Sequence, residues 1–142
     1  MTKYIFITGT NTDVGKTYIG TKLIKCLNKK NKFLAFKPIE TGCNKKNNKL
    51  IPIDSTKYYN ILKNSLSLDQ INPYRFTDPV SPYLAIKKSK KRIFLKNYHQ
   101  KLQMLSNNIP VLVEGAGGAF SPLALDGLNI DLMRIIKSVN VL

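Results

Sequence analysis

Histidine occurs once in this sequence, at His99, and cysteine twice, at Cys26 and Cys43, with no CxxC spacing. Zinc ligation and a disulfide framework are therefore poorly supported, and no Cys–His or Ser–His–Asp arrangement stands out for nucleophilic catalysis. Long apolar runs are also missing. No stretch reaches transmembrane length, and residues 1–15 lack a signal-peptide pattern, because their short apolar stretch runs at once into TGTNTDVGKT. The expectation is a cytoplasmic protein with no membrane partner. Acidic residues are scarce, eight against 23 lysines and arginines, for a formal net charge of +15. Such an excess could signal nucleic acid, and KKSKKR at 87–92 is its densest run. Lysine and asparagine are nevertheless scattered along the whole chain, and no aromatic-interleaved or recognition-helix motif accompanies the run. It is read as solvated surface, with no nucleic-acid partner. Because acids are so few, each one at a strand end carries weight.

What is present fits one domain, residues 1–142, with 43% hydrophobic residues and room for a useful core. The stretch FITGTNTDVGKTYIG, residues 6–20, is the most informative. Tyr4, Ile5, Phe6, Ile7 and Thr8 form a β-branched and aromatic run suited to a buried parallel strand. After the glycines, Ile19, Leu23, Ile24 and Leu27 recur at helical spacing, with Lys22, Lys25 and Lys29 left for solvent. A glycine-rich loop between a strand and a helix aims backbone N–H groups at an anion. Lys16 would add a point charge near terminal phosphates, and the Thr17 hydroxyl would suit magnesium. The usual pattern leaves about four residues between the first glycine and GK, whereas Gly9 to Gly15 encloses five, with Thr10 at the usual glycine position. The blander alternative is a helix-starting turn with an incidental lysine.

Further along, KFLAFKPIETG predicts a strand near Phe33–Lys37, stopped by Pro38 and Gly42. This completes a β–α–β unit and hence a parallel sheet. NKKNNKLIP reads as a polar loop, and DSTKYYNILKN as a helix capped by Asp54 or Ser55. INPYRFTDPVSPYLA, with its prolines, reads as an ordered loop. Leu95, Tyr98, Leu102 and Leu105 share one helical face, and NIPVLVEGAGG predicts a buried strand opening into glycines. DLMRIIKSVNVL reads as a helix, a turn at Ser138 and the start of another buried strand. A doubly wound sheet normally continues, so C-terminal strands are expected to be missing from the chain as written.

Ligands in open parallel sheets sit at the carboxyl ends of the strands, and three such ends carry unusual polar groups. The first supplies Lys16 and Thr17, the second Lys37 and Thr41, the third Glu114. A carboxylate directly after an apolar strand is suited to hold magnesium near a triphosphate, and Asp54 could be a second. Lys37 could equally be an ordinary strand-end lysine, and Asp54 only a helix cap.

GTNTDVGKT, KPIETG, NPYRFTDPVSP and VEGAGG, in this order and spacing, resemble dethiobiotin synthetase, the ATP-dependent carboxylase of biotin synthesis. The resemblance covers residues 3–142 and includes the longer phosphate loop. It implies an α/β fold of P-loop NTPase type, a parallel sheet flanked by helices. It further implies conversion of 7,8-diaminononanoate and carbon dioxide to dethiobiotin, with ATP becoming ADP and phosphate. By the same resemblance, Asn11, Thr12, Asp13, Val14, Gly15, Lys16, Thr17, Asp54, Glu114 and Gly117 would hold ATP and Mg2+. Thr17, Asp54 and Glu114 would be the metal ligands. Lys16 and Lys37 would be catalytic, and Thr12, Lys37, Thr41, Gly117 and Gly118 would place the substrate. Later strands would supply adenine contacts and much of a homodimer surface. Two other readings stay open. One is a nucleotide-driven switch acting on a protein or DNA partner, although such relatives carry a lysine early in the loop, where this chain has Asn11. The other is an inactive remnant of the synthetase.

Overall fold

The computed structural model describes residues 3–142; the first two positions, included above in the leader and domain expectations, lie outside the described residues. The first strand β1 (Tyr4–Ile7) leads through the glycine loop into α1 (Lys16–Leu27) and then β2 (Leu34–Phe36). Next come the short β3 (Ile39–Glu40), a hairpin of β4 (Asn44–Lys46) and β5 (Lys49–Ile51), and α2 (Ile53–Leu62). The middle of the chain forms α3 (Leu68–Ile71), β6 (Tyr74–Arg75), α4 (Pro82–Lys88) and α5 (Leu95–Ser106). It closes with β7 (Val111–Glu114), β8 (Pro122–Ala124), β9 (Gly127–Leu128), α6 (Asn129–Ile136) and β10 (Val139–Val141).

The central sheet is parallel, in the order β10-β1-β7-β2. Each β2 and β7 residue is buried, as expected of strands covered on both faces by helices. Register is what matters for the site. Ile7 pairs with Glu114 and Phe36 with Val113, so the residue after β2, Lys37, is level with Glu114. The carboxyl ends of β1, β7 and β2 therefore finish flush, with the phosphate loop at one corner. The expected fold is the observed one, a helix-flanked parallel α/β sheet of P-loop NTPase type.

Several local expectations are corrected. On α1, the line turned inward is Thr17, Gly20 and Ile24, and Ile19 is 45% exposed instead of buried. The helix packs against α2 as well as β7, and Ile24, Leu23 and Leu27 of the expected face are buried or half-buried. NKKNNKLIP is a hairpin, not a plain loop: Asn47 and Asn48 both have positive φ, the two-residue turn whose twist matches the strands it joins. The proline-rich segment contains β6 and α4, because Pro82 stands in the first helical turn, where a missing N–H loses nothing. The final segment does form a helix and a strand, but Val139 and Asn140 are exposed. Leu95, Tyr98 and Leu102 of α5 are buried as expected, and the Tyr98 hydroxyl donates to the Leu123 carbonyl at 2.8 Å.

The basic run at 87–92 forms the end of α4 and the exposed turn after it, and its ammonium groups use nearby rings: Lys87 lies over Tyr83 and Lys91 over Phe76.

Asn129 closes the turn that follows β7. It is fully buried; its amide donates to the carbonyls of Ala116, Gly118 and Ser121 at 2.8, 3.0 and 3.0 Å, and its oxygen accepts from the Ala116 N–H at 3.2 Å. Gly115 must be a glycine here, since a Cβ would stand 2.4 Å from Asn129 Oδ1. Replacing Asn129 by alanine strands several buried polar groups, each worth about 1–3 kcal/mol when unsatisfied. Urea unfolding is expected to show Asn129→Ala destabilised by about 2–4 kcal/mol; a change below about 0.5 kcal/mol, the surface-substitution range, would contradict the clamp.

Candidate active site

The phosphate loop is shaped by two left-handed residues, Asp13 (φ 56) and Gly15 (φ 98). Gly15 stands at the cap position just before α1, and no side chain caps that helix end. The first N–H groups of α1 are thus left to an external anion, at the positive end of the helix dipole. Gly9 has no room for a side chain, because a Cβ would meet Val14 Cγ2 at 2.6 Å. The Lys16 ammonium folds back to donate to the Asn11 carbonyl. Burial, and then repulsion from Lys37, hold its pKa below the ordinary lysine value.

In front of the loop lies a crevice of about 780 Å³. Asn11, Thr12, Asp13, Gly15, Lys16 and Thr17 line it from the loop side. Lys37, Thr41, Asp54, Glu114 and Gly117 line it from the other strand ends and α2. Two residues of the expected set stand elsewhere. Val14 turns to a separate cavity of about 220 Å³, shared with Ile19, Val141 and Leu142. Gly118 is buried behind the loop, where a Cβ would meet the Thr10 carbonyl at 2.7 Å, and its N–H donates to Ser121 Oγ at 2.9 Å.

Glu114 is the centre of the crevice wall and only 1% exposed. Its Oε1 accepts from Lys37 Nζ at 2.7 Å and from Thr17 Oγ1 at 2.8 Å, and its Oε2 accepts from Tyr58 Oη at 2.5 Å. Lys37 also lies 3.7 Å from Asp54 Oδ2. Burial alone pushes the Lys37 pKa down, but attraction from Glu114, then Asp54 and Glu40, outweighs it and the ammonium is held above its ordinary range. Burial, reinforced by the Glu114 charge, pushes the Tyr58 phenol far above its ordinary value, so it stays a donor.

Asp54 does not cap α2, nor does Ser55. The helix begins at Ile53, and the cap comes from a distant carboxylate: Glu40 accepts from the Asp54 N–H at 2.7 Å, the Ser55 N–H at 3.0 Å and the Ser55 hydroxyl at 2.6 Å. An acid at a helix N-terminus is favoured by the dipole. It leaves the Asp54 side chain free to face Lys37 and Lys57. Sequence reasoning missed Glu40, Tyr58 and Gly20. Glu40 had a signal in the scarcity of acids; Tyr58 had none, because only α2 packing on α1 carries it to Glu114.

The donors around the crevice fit a magnesium ion in kind. Thr17, Asp54 and Glu114 offer hard oxygen atoms, the ligand class this ion takes. Among the described residues no three His, Cys, Asp or Glu side chains cluster tightly enough to hold a metal by themselves. That suits an ion whose remaining coordination comes from water and nucleotide phosphates.

Comparison with known proteins agrees with this geometry. The chain is similar to proteins named ATP-dependent dethiobiotin synthetase BioD. The one from Fusobacterium nucleatum is 40% identical over 142 residues, covering 95% of this chain and 62% of that protein. Those from Aeromonas salmonicida and Legionella pneumophila (strain Paris) are each 36% identical, over 137 and 139 residues, with 61% and 62% of the relative covered. The chain thus spans about 62% of the length of the curated relatives it matches. A family model described as an AAA domain matches residues 3–142, taking in the phosphate loop, all three strand ends and α2. The chain belongs to this AAA domain family.

Proposed function

We propose that the protein carries out ATP-dependent carboxylation and ring closure of 7,8-diaminononanoate to dethiobiotin, as a cytoplasmic enzyme working as a homodimer at full length. Residues 1–142 would serve as one domain of phosphate and metal handling. The observation that carries the reading is the convergence of Lys16, Thr17, Lys37, Asp54 and Glu114 on one crevice, in a chain similar to dethiobiotin synthetases.

The chemistry asks for placement and charge compensation, not a covalent enzyme intermediate. One substrate amine adds to the carbon of carbon dioxide and loses a proton, forming a carbamate. A carbamate oxygen then attacks the terminal phosphorus of ATP and ADP leaves. The second amine attacks the carbamoyl carbon and phosphate departs, closing the ureido ring. In this scheme Lys16 exchanges the Asn11 carbonyl for phosphate oxygens and offsets charge on the transferring group. Lys37, held between Glu114 and Asp54, faces the carbamate and phosphate oxygens. Thr17, Asp54 and Glu114 would hold magnesium, which when bound supplies further neutralisation of phosphate charge. Thr12, Thr41 and Gly117 line the space left for the diamine, with Gly118 supporting the loop from behind.

Incubation of a full-length version of the protein with the diamine, ATP and bicarbonate is expected to yield dethiobiotin by mass spectrometry. ATP hydrolysis stimulated by DNA or a protein partner, and indifferent to the diamine, would point to a nucleotide switch instead. Lys16→Ala is expected to lower turnover more than about tenfold, or about 1.4 kcal/mol of barrier; unchanged turnover refutes the phosphate-loop assignment. Glu114→Gln keeps the shape and removes the charge. It is expected to shift the magnesium concentration needed for half-saturation upward, and superimposable magnesium titrations would remove Glu114 from the metal site.

A further inference from the structure

Tyr58 has no part in the scheme above, yet its hydroxyl reaches the most buried carboxylate of the site. It lies on the inner line of α2 with Ser55 and Leu62, is itself 1% exposed, and donates to Glu114 Oε2 at 2.5 Å. Two features show that this contact is built in. Gly20 on α1 leaves the notch that the ring fills: a Cβ there would stand 1.8 Å from Tyr58 Oη and 2.9 Å from its Cζ. At the other end of the contact, Glu40 fastens the first turn of α2 through two backbone N–H groups. The same helix therefore brings Asp54 toward Lys37 and, one turn later, Tyr58 to Glu114.

A carboxylate at a strand end can rotate and offer either oxygen. With Oε2 held by Tyr58, the oxygen turned to Thr17 and Lys37 is Oε1. We infer that Tyr58 is a positioning residue: its hydroxyl locks the rotation of Glu114 so that a single carboxylate oxygen is presented to the metal and phosphate side of the crevice. This rests on the site reading of the previous subsection. Partners that orient a metal-ligating group from behind typically change metal affinity by about 10- to 100-fold when removed.

The test is Mn2+ binding to the chain in the presence of ADP, followed by the electron paramagnetic resonance signal of free Mn2+. Tyr58→Phe retains the ring in its notch and is expected to raise the Mn2+ dissociation constant about tenfold, while ADP binding without metal changes less than about twofold, since the hydroxyl donates to Glu114 and not to the loop. Gly20→Ala, which displaces the hydroxyl from the α1 side, is expected to give a loss of similar size. In the Tyr58→Phe background the same alanine is expected to add little, the non-additivity of two changes acting on one contact. Mn2+ affinity equal to that of the unmodified chain in both single variants overturns the inference and leaves the site reading standing. An unmodified chain that binds no Mn2+ with ADP overturns both.

Discussion

A carboxylate buried at the end of a central strand governs this molecule. Removing the Glu114 charge from water carries a desolvation penalty of several kcal/mol even after relaxation, and such a group persists only when cations and donors surround it. Here Thr17, Lys37 and Tyr58 do so. They arrive from α1, the end of β2 and α2, so one charge ties three elements to β7. Loss of any one donor leaves the others holding an incompletely satisfied ion, and Gly20 is bound to its present size by the Tyr58 hydroxyl that a Cβ would meet.

Around that centre the fold uses polar fasteners wherever the chain turns sharply. Glu40 caps α2 from across the site, and Asn129 gathers the carbonyls of the turn after β7. Both are buried, and both replace water for backbone groups that the turn geometry would leave alone. The flush ends of the parallel strands then do the rest. They set Lys37 beside Glu114 by register alone, and they leave the uncapped start of α1 open at the same level.

Membership of the AAA domain family and the similarity to dethiobiotin synthetases cover the whole stretch that builds this crevice, from the glycine loop through α2 to the end of β7. The charge of the chain has less to do with it. The lysines are spread over exposed helices, hairpin and loops, and several hold their ammonium groups over aromatic rings.

The sequence by itself determined the order of elements around the site, because its signals are local. An apolar β-branched run, a glycine loop ending in Gly15-Lys16-Thr17, a helical repeat and a carboxylate closing VLVE each depend on neighbours a few residues away. Even there, the Asn47–Asn48 turn is ambiguous in sequence, since asparagine serves tight hairpin turns and loops alike. What only the tertiary structure decided are the contacts between elements far apart in the chain. Tyr58 meets Glu114 across 56 residues, Glu40 caps Asp54 and Ser55 across 14 and 15, and α1 docks on both α2 and β7 with Ile19 left half exposed. No periodicity encodes such pairings: they depend on how two helices dock on one sheet, and docking is settled by the summed fit of many side chains, with a single glycine deciding whether a phenol reaches its carboxylate.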